Sequence, residues 1–156
     1  MPTTTKTRLY QLLLQQAQAL LEAERDPVAN MANLAAVLYQ GLPQINWAGF
    51  YLYKSGELVL GPFQGKPACV RIGWGKGVCG TAAAQQRTVL VPDVHLFAGH
   101  IACDSASESE IVIPIFKNGV VWGVLDIDAP VKNRFDETDR VHLEQLARRF
   151  EQSSDL

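Results

Sequence analysis

A single predicted β-hairpin constrains the fold of this 156-residue chain more than any other feature of its sequence. Two runs rich in β-branched and other apolar residues, 110–117 and 120–128, flank the dipeptide Asn118-Gly119. Asn-Gly favours a type I′ turn, whose twist matches that of two antiparallel strands. The sequence therefore predicts an antiparallel sheet. A two-residue turn also pairs Glu110 with a residue near Ile127, between Asp126 and Asp128.

The ends of the chain show helical periodicity. Apolar residues recur at helical spacing over 5–24, and Asp26-Pro27 then provides an N-cap and a first-turn proline for a second helix, which ends before Pro43. Residues 135–152 form the C-terminal helix, which Asp136 caps with Asp139 at its third helical position.

Between these helices the apolar residues alternate with a period of two, as in strands. We predict strands over 47–54, 58–63, 68–72 and 88–91, a short helix over 78–86, and a long loop over 93–107. Together with the hairpin, this gives an α+β fold with about six mainly antiparallel strands. Its segments are the N-terminal helices (1–43), the sheet with the loop and cysteines (44–128), and the last helix (135–152). We expect the terminal helices on one face of the sheet, and a ligand pocket under the loop and short helix on the other.

Composition excludes several classes of protein. Hydrophobic residues make up 47% and charged residues 19% of the chain, which argues against disorder. The net charge is −2 and no basic stripe stands out, so we expect no nucleic-acid partner. The apolar runs are shorter than a membrane span, and Met1–Tyr10 does not resemble a signal peptide. With three cysteines, an odd number, we expect reduced thiols and a cytoplasmic protein.

The cysteines are the first candidate for chemistry. Cys69, Cys79 and Cys103 form no Cys-x-x-Cys pair, but the predicted topology puts all three on the sheet face opposite the terminal helices. Buried, unreactive thiols are one interpretation. A metal site of His95, His100 and Cys103, completed by Cys69 or Cys79, is another, although these spacings match no compact zinc motif, so no metal is expected.

Carboxylates are the second candidate. Asp126 and Asp128 are two residues apart on one strand, so their side chains share a face, and Glu110 lies at the same end of the hairpin. If buried, such a cluster keeps a proton and can act as a general acid or bind an ammonium group; otherwise it is a solvated hairpin end. Trp47, Tyr51 and Tyr53 also share a face and form either an aromatic wall or part of the sheet core.

These residues lie in motifs that resemble the GAF domain, and specifically the free methionine-(R)-sulfoxide reductase family. The resemblance covers nearly the whole chain, and cysteines at this spacing distinguish the family from GAF domains in general. The matching segments are 45–51 (INWAGFY), 61–65 (GPFQG), 68–69 (AC), 75–80 (GKGVCG), 100–104 (HIACD), 107–114 (SESEIVIP) and 125–128 (LDID).

The resemblance implies roles for individual residues. Cys103 would be the nucleophile and Cys69 the resolving thiol, with Cys79 able to join disulfide exchange. Glu110, Asp126 and Asp128 would engage the amine and sulfoxide ends of the substrate, and Trp47 would line the methyl pocket.

The implied reaction converts free L-methionine-(R)-S-oxide to L-methionine through a cysteine sulfenic acid and an intramolecular disulfide. No bound cofactor is implied. Thioredoxin, supplied with electrons by NADPH and thioredoxin reductase, would be the external reductant, and a homodimer is expected because domains of this fold often pair. The alternative is a GAF module that senses a small molecule of the cyclic-nucleotide type without catalysis.

Overall fold

The computed structural model describes residues 4–101, 103 and 105–156, so Ala102 and Asp104 of the quoted motifs lie outside the described residues. The helices are α1 (Thr5–Glu22), α2 (Pro27–Gly41), α3 (Gly77–Gln85) and α4 (Glu137–Ser153). The strands are β1 (Trp47–Lys54), β2 (Glu57–Gly65), β3 (Arg71–Gly73), β4 (Val89–Val91), β5 (Ser109–Lys117) and β6 (Val120–Ala129). A 3₁₀ turn, Val94–Leu96, interrupts the predicted long loop.

The six strands form one sheet in the order β3-β2-β1-β6-β5-β4, and every neighbouring pair is antiparallel. This confirms the predicted α+β class. At the β5–β6 turn, Asn118 and Gly119 both have positive φ values, 52° and 77°. A type I′ turn requires that backbone at both central residues, and Asn and Gly adopt it at low cost.

The predicted capping residues begin the helices as expected. Asp26 accepts a hydrogen bond from Ala29 N, and Pro27 occupies the first turn of α2. Asp136 and Asp139 form a reciprocal capping box at the start of α4. Helix α4 spans Glu137–Ser153, so it begins directly after its predicted cap, Asp136, and the first two residues of the predicted segment lie outside the helix.

Apolar side chains divide between the two faces of the sheet. The face covered by α1, α2 and α4 buries alternate strand residues, among them Ala48, Phe50, Ile111, Ile113, Leu125 and Ile127. The other face packs against α3 and buries Trp47, Tyr51, Val112 and Val124. Each large aliphatic or aromatic side chain buried in this way contributes about 1.5–3 kcal/mol to folding. The expected placement of the terminal helices is confirmed.

The predicted register of the hairpin is wrong by one residue at its open end. Glu110 lies opposite Asp128, not near Ile127, because the pairing shifts between Ile115 and Phe116. Trp122 is the extra residue on β6 at this bulge. Side chains alternate between faces, so pairing with Ile127 would have turned Glu110 toward the terminal helices. The bulge instead puts Glu110 on the same face as Asp126 and Asp128.

The third strand is shorter than predicted. Cys69 does not open it but lies in the 66–70 loop, because β3 spans only Arg71–Gly73. Gly65 has a φ of 130° and Pro67 has no N–H to donate to a ladder, so regular pairing stops there.

Within the described residues, no helix has both the length and the apolar character that a membrane span requires.

Candidate active site

Two of the three cysteines are joined. Cys69 and Cys103 form a disulfide across 34 residues of sequence, with their Cα atoms 5.4 Å apart. That separation is typical of disulfides. The bridge ties the 66–70 loop to the segment that precedes β5, and both half-cystines are partly buried. Cys79 is a free, buried thiol in the first turn of α3.

A cavity lies between the sheet and α3, where the sequence predicts a pocket. It encloses about 450 Å³ not filled by atoms, part of it open to solvent. Its lining residues are Tyr51, Ile72, Gly77, Val78, Cys79, His100, Ile101, Cys103, Ser107, Glu110, Asp126 and Asp128. The structure therefore brings Cys103, Cys79 and all three predicted carboxylates into one site. Cys69 adjoins it through the disulfide without lining it.

The carboxylates lie on the inner wall of this cavity. Glu110 is 7% and Asp126 is 5% exposed, and the pairing of β5 with β6 puts Glu110 directly opposite Asp128. One carboxylate oxygen each of Glu110 and Asp126 and the Cys79 sulfur lie within 4.8 Å of one another. The cluster is thus buried rather than a solvated hairpin end.

Burial changes how these groups ionise. Desolvation raises the pKa of Glu110 well above its ordinary value, and the negative charges of Asp126 and Asp128 raise it further. Desolvation also raises the pKa of Asp126. Because closely spaced, buried carboxylates disfavour one another's ionisation, the cluster holds a proton more tightly than isolated carboxyl groups do. It can therefore donate a proton to a bound ligand.

Cys79 responds to the same surroundings. Burial, followed by the charges of Asp126 and Glu110, raises the pKa of its thiol well above the ordinary value. The protonated thiol is a weak nucleophile compared with a thiolate. At this position Cys79 acts as a hydrogen-bonding neighbour of Asp126 in the cavity wall.

Positive charge is scarce around the cluster. His100 is the basic side chain that pairs with Glu110 among the described residues, with Nε2 4.0 Å from Oε1. Burial lowers the pKa of His100, so the ring is largely neutral at pH 7. Asp126 Oδ1 is buried and has no hydrogen-bond partner in the described part of the chain. These two features suit a cluster that receives a cationic ligand.

The aromatic residues of β1 have separate positions. Tyr51 lines the cavity and its hydroxyl donates to the Cys69 carbonyl oxygen at 2.8 Å. Trp47 is 2% exposed, stacks on Phe63 with ring centroids 5.1 Å apart, and is not among the lining residues. Its indole N–H donates to the Lys66 carbonyl oxygen at 3.1 Å. Both side chains therefore hold the loop that carries Cys69.

Sequence reasoning found some of the other lining residues and missed others. It named Tyr51, with Trp47, as part of either an aromatic wall or the sheet core, and Tyr51 does line the cavity. Nothing in the sequence pattern singled out His100 as the neighbour of Glu110, or Ser107 as a lining residue, because both lie in a segment without periodicity.

The alternative metal site is not brought together. Among the described residues, His95 groups with Asp93 and Glu108, whereas Cys79 groups with Glu110 and Asp126. Cys69 and Cys103 use their sulfur atoms in the disulfide. The two groups within ligand distance thus differ from the set that the sequence suggested.

Comparisons with known proteins agree with this architecture. A family model described as the GAF domain matches residues 7–153. The chain is 58% identical over 150 residues to Protein YtsP of Bacillus subtilis, covering 95% of this chain and 92% of that protein. It is 51% identical over 146 residues to the free methionine-R-sulfoxide reductase of Escherichia coli, covering 94% and 88%.

A solved structure extends the comparison to three dimensions. The free methionine-R-sulfoxide reductase from Neisseria meningitidis in complex with its substrate superposes with a TM-score of 0.93 at 47% identity, covering 98% of this chain and 92% of that one. At these levels of identity and coverage, shared ancestry extends along the full length of the domain. The chain belongs to the GAF domain family and, within it, to the free methionine-R-sulfoxide reductases.

Proposed function

We propose that this chain reduces free methionine-(R)-sulfoxide to methionine, with Cys103 as the nucleophile and Cys69 as the resolving thiol. The observation that carries the proposal is the Cys69–Cys103 disulfide next to a cavity with buried, proton-holding carboxylates. Relatives at 51% and 43% identity bear the name free methionine-R-sulfoxide reductase, which supports the same activity here.

The first step needs a nucleophile and an acid in one small site. A sulfoxide sulfur becomes electrophilic as its oxygen gains a proton. The Cys103 thiolate attacks that sulfur, the carboxyl cluster protonates the oxygen, methionine leaves, and Cys103 becomes a sulfenic acid. Cys69 then attacks the Cys103 sulfur, so that water leaves and the disulfide forms. The Cys69–Cys103 disulfide of the structure fits this second step.

The same cavity accounts for selection of the free amino acid. The ammonium group of methionine sulfoxide brings a positive charge to Glu110, whose basic partner among the described residues is His100, and a hydrogen-bond donor to the buried Asp126 Oδ1. The first turn of α3 lines the cavity and presents the positive end of the helix dipole, which suits the substrate carboxylate. A methionine within a peptide has neither charge. In this proposal Trp47 supports the methyl-binding side through Tyr51, with ring centroids 6.0 Å apart.

Turnover requires a reductant for the disulfide. We infer thioredoxin, reduced by NADPH and thioredoxin reductase, in the cytoplasm where such systems keep thiols reduced.

A homodimer through the N-terminal helices is supported by the apolar side chains that α1 and α2 expose, such as Leu12 and Val28, which are 59% and 58% accessible.

The test measures NADPH consumption with thioredoxin, its reductase and each sulfoxide epimer in turn. We expect turnover with the free (R)-epimer, none with Cys103→Ser, and a single methionine per molecule with an accumulating sulfenic acid for Cys69→Ser. Full multiple turnover by Cys103→Ser would refute the proposal. Binding of a cyclic nucleotide without any sulfoxide reduction would instead establish the sensor.

A further inference from the structure

Exposed apolar side chains flank the edge strand β3, and one of them directly follows Cys69 of the disulfide. Val70, the residue after Cys69, is 59% exposed, and Tyr53 and Trp74 are 43% and 40% exposed. The Tyr53 and Trp74 rings meet edge to face with centroids 5.2 Å apart. Val70 lies beside the edge strand β3, with its carbonyl bonded to Leu60 N. We call Tyr53, Val70 and Trp74 the disulfide-side patch.

The two sulfur atoms differ in how they can be reached. Cys103 lines the substrate cavity, whereas Cys69 does not and lies on the outer loop next to Val70. An incoming thiolate that attacked Cys103 from the cavity would have to enter beside the buried carboxylates, which disfavour another negative charge. Since Cys69 does not line the cavity and precedes the exposed Val70, an attack on Cys69 need not pass the carboxylates.

Charge on the rim also favours approach to Cys69. Lys66 and Lys76 are exposed, Lys66 lies three residues before Cys69, and the Lys76 side chain lies close to Gly73 of β3. Cations at the edge of an apolar contact attract a thiolate and an acidic partner surface. The patch therefore combines apolar side chains with positive charge on the segments on either side of Cys69.

We propose that the disulfide-side patch docks a dithiol protein, which attacks Cys69 rather than Cys103. This inference rests on the proposed function, because it assumes that the disulfide is recycled. The partner's thiolate bonds to Cys69 Sγ, the Cys69–Cys103 bond breaks, and its electron pair leaves on Cys103, which takes a proton. The partner's second thiol then attacks the mixed disulfide, oxidising the partner and releasing Cys69 as a thiolate.

The docking test compares two reductants. Val70→Ser combined with Trp74→Ser removes apolar contact area outside the cavity, and Val141→Ser on α4, where Val141 is 39% exposed, is the control. With thioredoxin as electron donor we expect KM for thioredoxin to rise on the order of tenfold in the double variant, and not in the control. With dithiothreitol, which is too small to need the patch, the rate stays at that of the parent.

The outcomes separate this inference from the proposed function. An unchanged KM for thioredoxin in the double variant, or an equal fall with both reductants, overturns the docking surface while leaving the reductase intact. A parent protein that forms no methionine even with dithiothreitol overturns the proposed function itself. Circular dichroism and thermal unfolding confirm that the variants are folded in each arm.

The attacked sulfur is identified by trapping. The oxidised protein is mixed with thioredoxin whose second active-site cysteine is serine, the reaction is quenched with acid, and the mixed disulfide is mapped by peptide mass spectrometry. Attachment at Cys69 is expected, with Cys103 recovered as a free thiol. Attachment at Cys103 overturns the inference.

Discussion

Each face of the sheet buries carboxylates, but the two faces surround them differently. On the helix face, Asp139 is fully buried and lies 2.8 Å from Lys6 Nζ and 3.3 Å from an Arg134 nitrogen. The Tyr10 hydroxyl donates to it at 2.5 Å. These partners come from α1 and from the segment before α4. Asp139 therefore joins three parts of the chain as a charge with its hydrogen bonds satisfied.

On the cavity face, the carboxylates have mainly one another as neighbours. Among the described residues, Glu110 pairs with no lysine or arginine, and His100 is 4.0 Å away. Burying a carboxylate such as Glu110 without a lysine or arginine partner disfavours its charged form, and its pKa is accordingly raised. Both carboxylates are buried, so burial alone does not distinguish a structural carboxylate from a functional one. The difference lies in whether lysine and arginine side chains pair with the carboxylate.

The largest effect is expected for Glu110→Gln. Gln keeps the shape and a hydrogen-bond donor but cannot hold an ammonium group by charge or give up a proton, so kcat should fall by about 10²–10⁴. Single-turnover methionine formation measures the loss. The control is Glu108→Gln. Glu108 directly precedes β5, its side chain is 33% exposed, and it pairs with His95. If Glu110→Gln kept the activity of the parent protein, Glu110 would not be a functional carboxylate.

Asp139→Asn should affect stability instead. The change leaves the buried Arg134 without its charged partner, and we expect the free energy of unfolding to fall by about 3–5 kcal/mol. Urea unfolding gives this value, and activity per folded molecule should be unchanged. Asp136→Asn is the control, because that side chain is 60% exposed and Asn is also a good N-cap. Equal losses in the two variants would contradict a special role for Asp139.

The pH dependence of stability should separate the faces further. The pKa of Glu110 is raised in the folded protein above its ordinary value of 4.5. Between these two pKa values the folded state holds a proton on Glu110 that the unfolded state has lost. Stability consequently falls with rising pH from the ordinary pKa up to the raised pKa, by up to about 1.4 kcal/mol per pH unit for one group. Urea unfolding from pH 5 to pH 8 should show a flatter slope for Glu110→Gln. Parallel slopes would show that Glu110 does not retain a proton.

The smallest effect is expected for Cys79→Ser. The thiol is protonated and bonded to Asp126, and serine also donates a hydrogen bond, so turnover should change by less than about tenfold. Thioredoxin-coupled kinetics with free methionine-(R)-sulfoxide measure it. A loss comparable with that of Cys103→Ser would show that Cys79 takes part in disulfide exchange after all.

Local rules allowed much of the fold to be predicted. Asn118-Gly119, Asp26-Pro27 and Asp136 each act through contacts within a few residues, so the turn and both caps follow from sequence. The register at Glu110 did not follow, because the bulge at Trp122 is not visible in the apolar alternation. Trp122 packs against Phe150 of α4, with ring centroids 5.9 Å apart. That packing is a long-range contact which no local pattern contains.

Local patterns in the chain specify which elements form and which residue types can carry chemistry, because periodicity, caps and turns depend on residues close together in sequence. Contacts between distant segments turn Glu110 toward the cavity and bring Cys69 to Cys103 across 34 residues. The same long-range contacts pair Asp139 with Lys6 and Arg134, whereas burial beside Asp126 and Asp128 raises the pKa of Glu110. Charge and reactivity depend on neighbours that are distant along the chain, and folding alone assembles those neighbours.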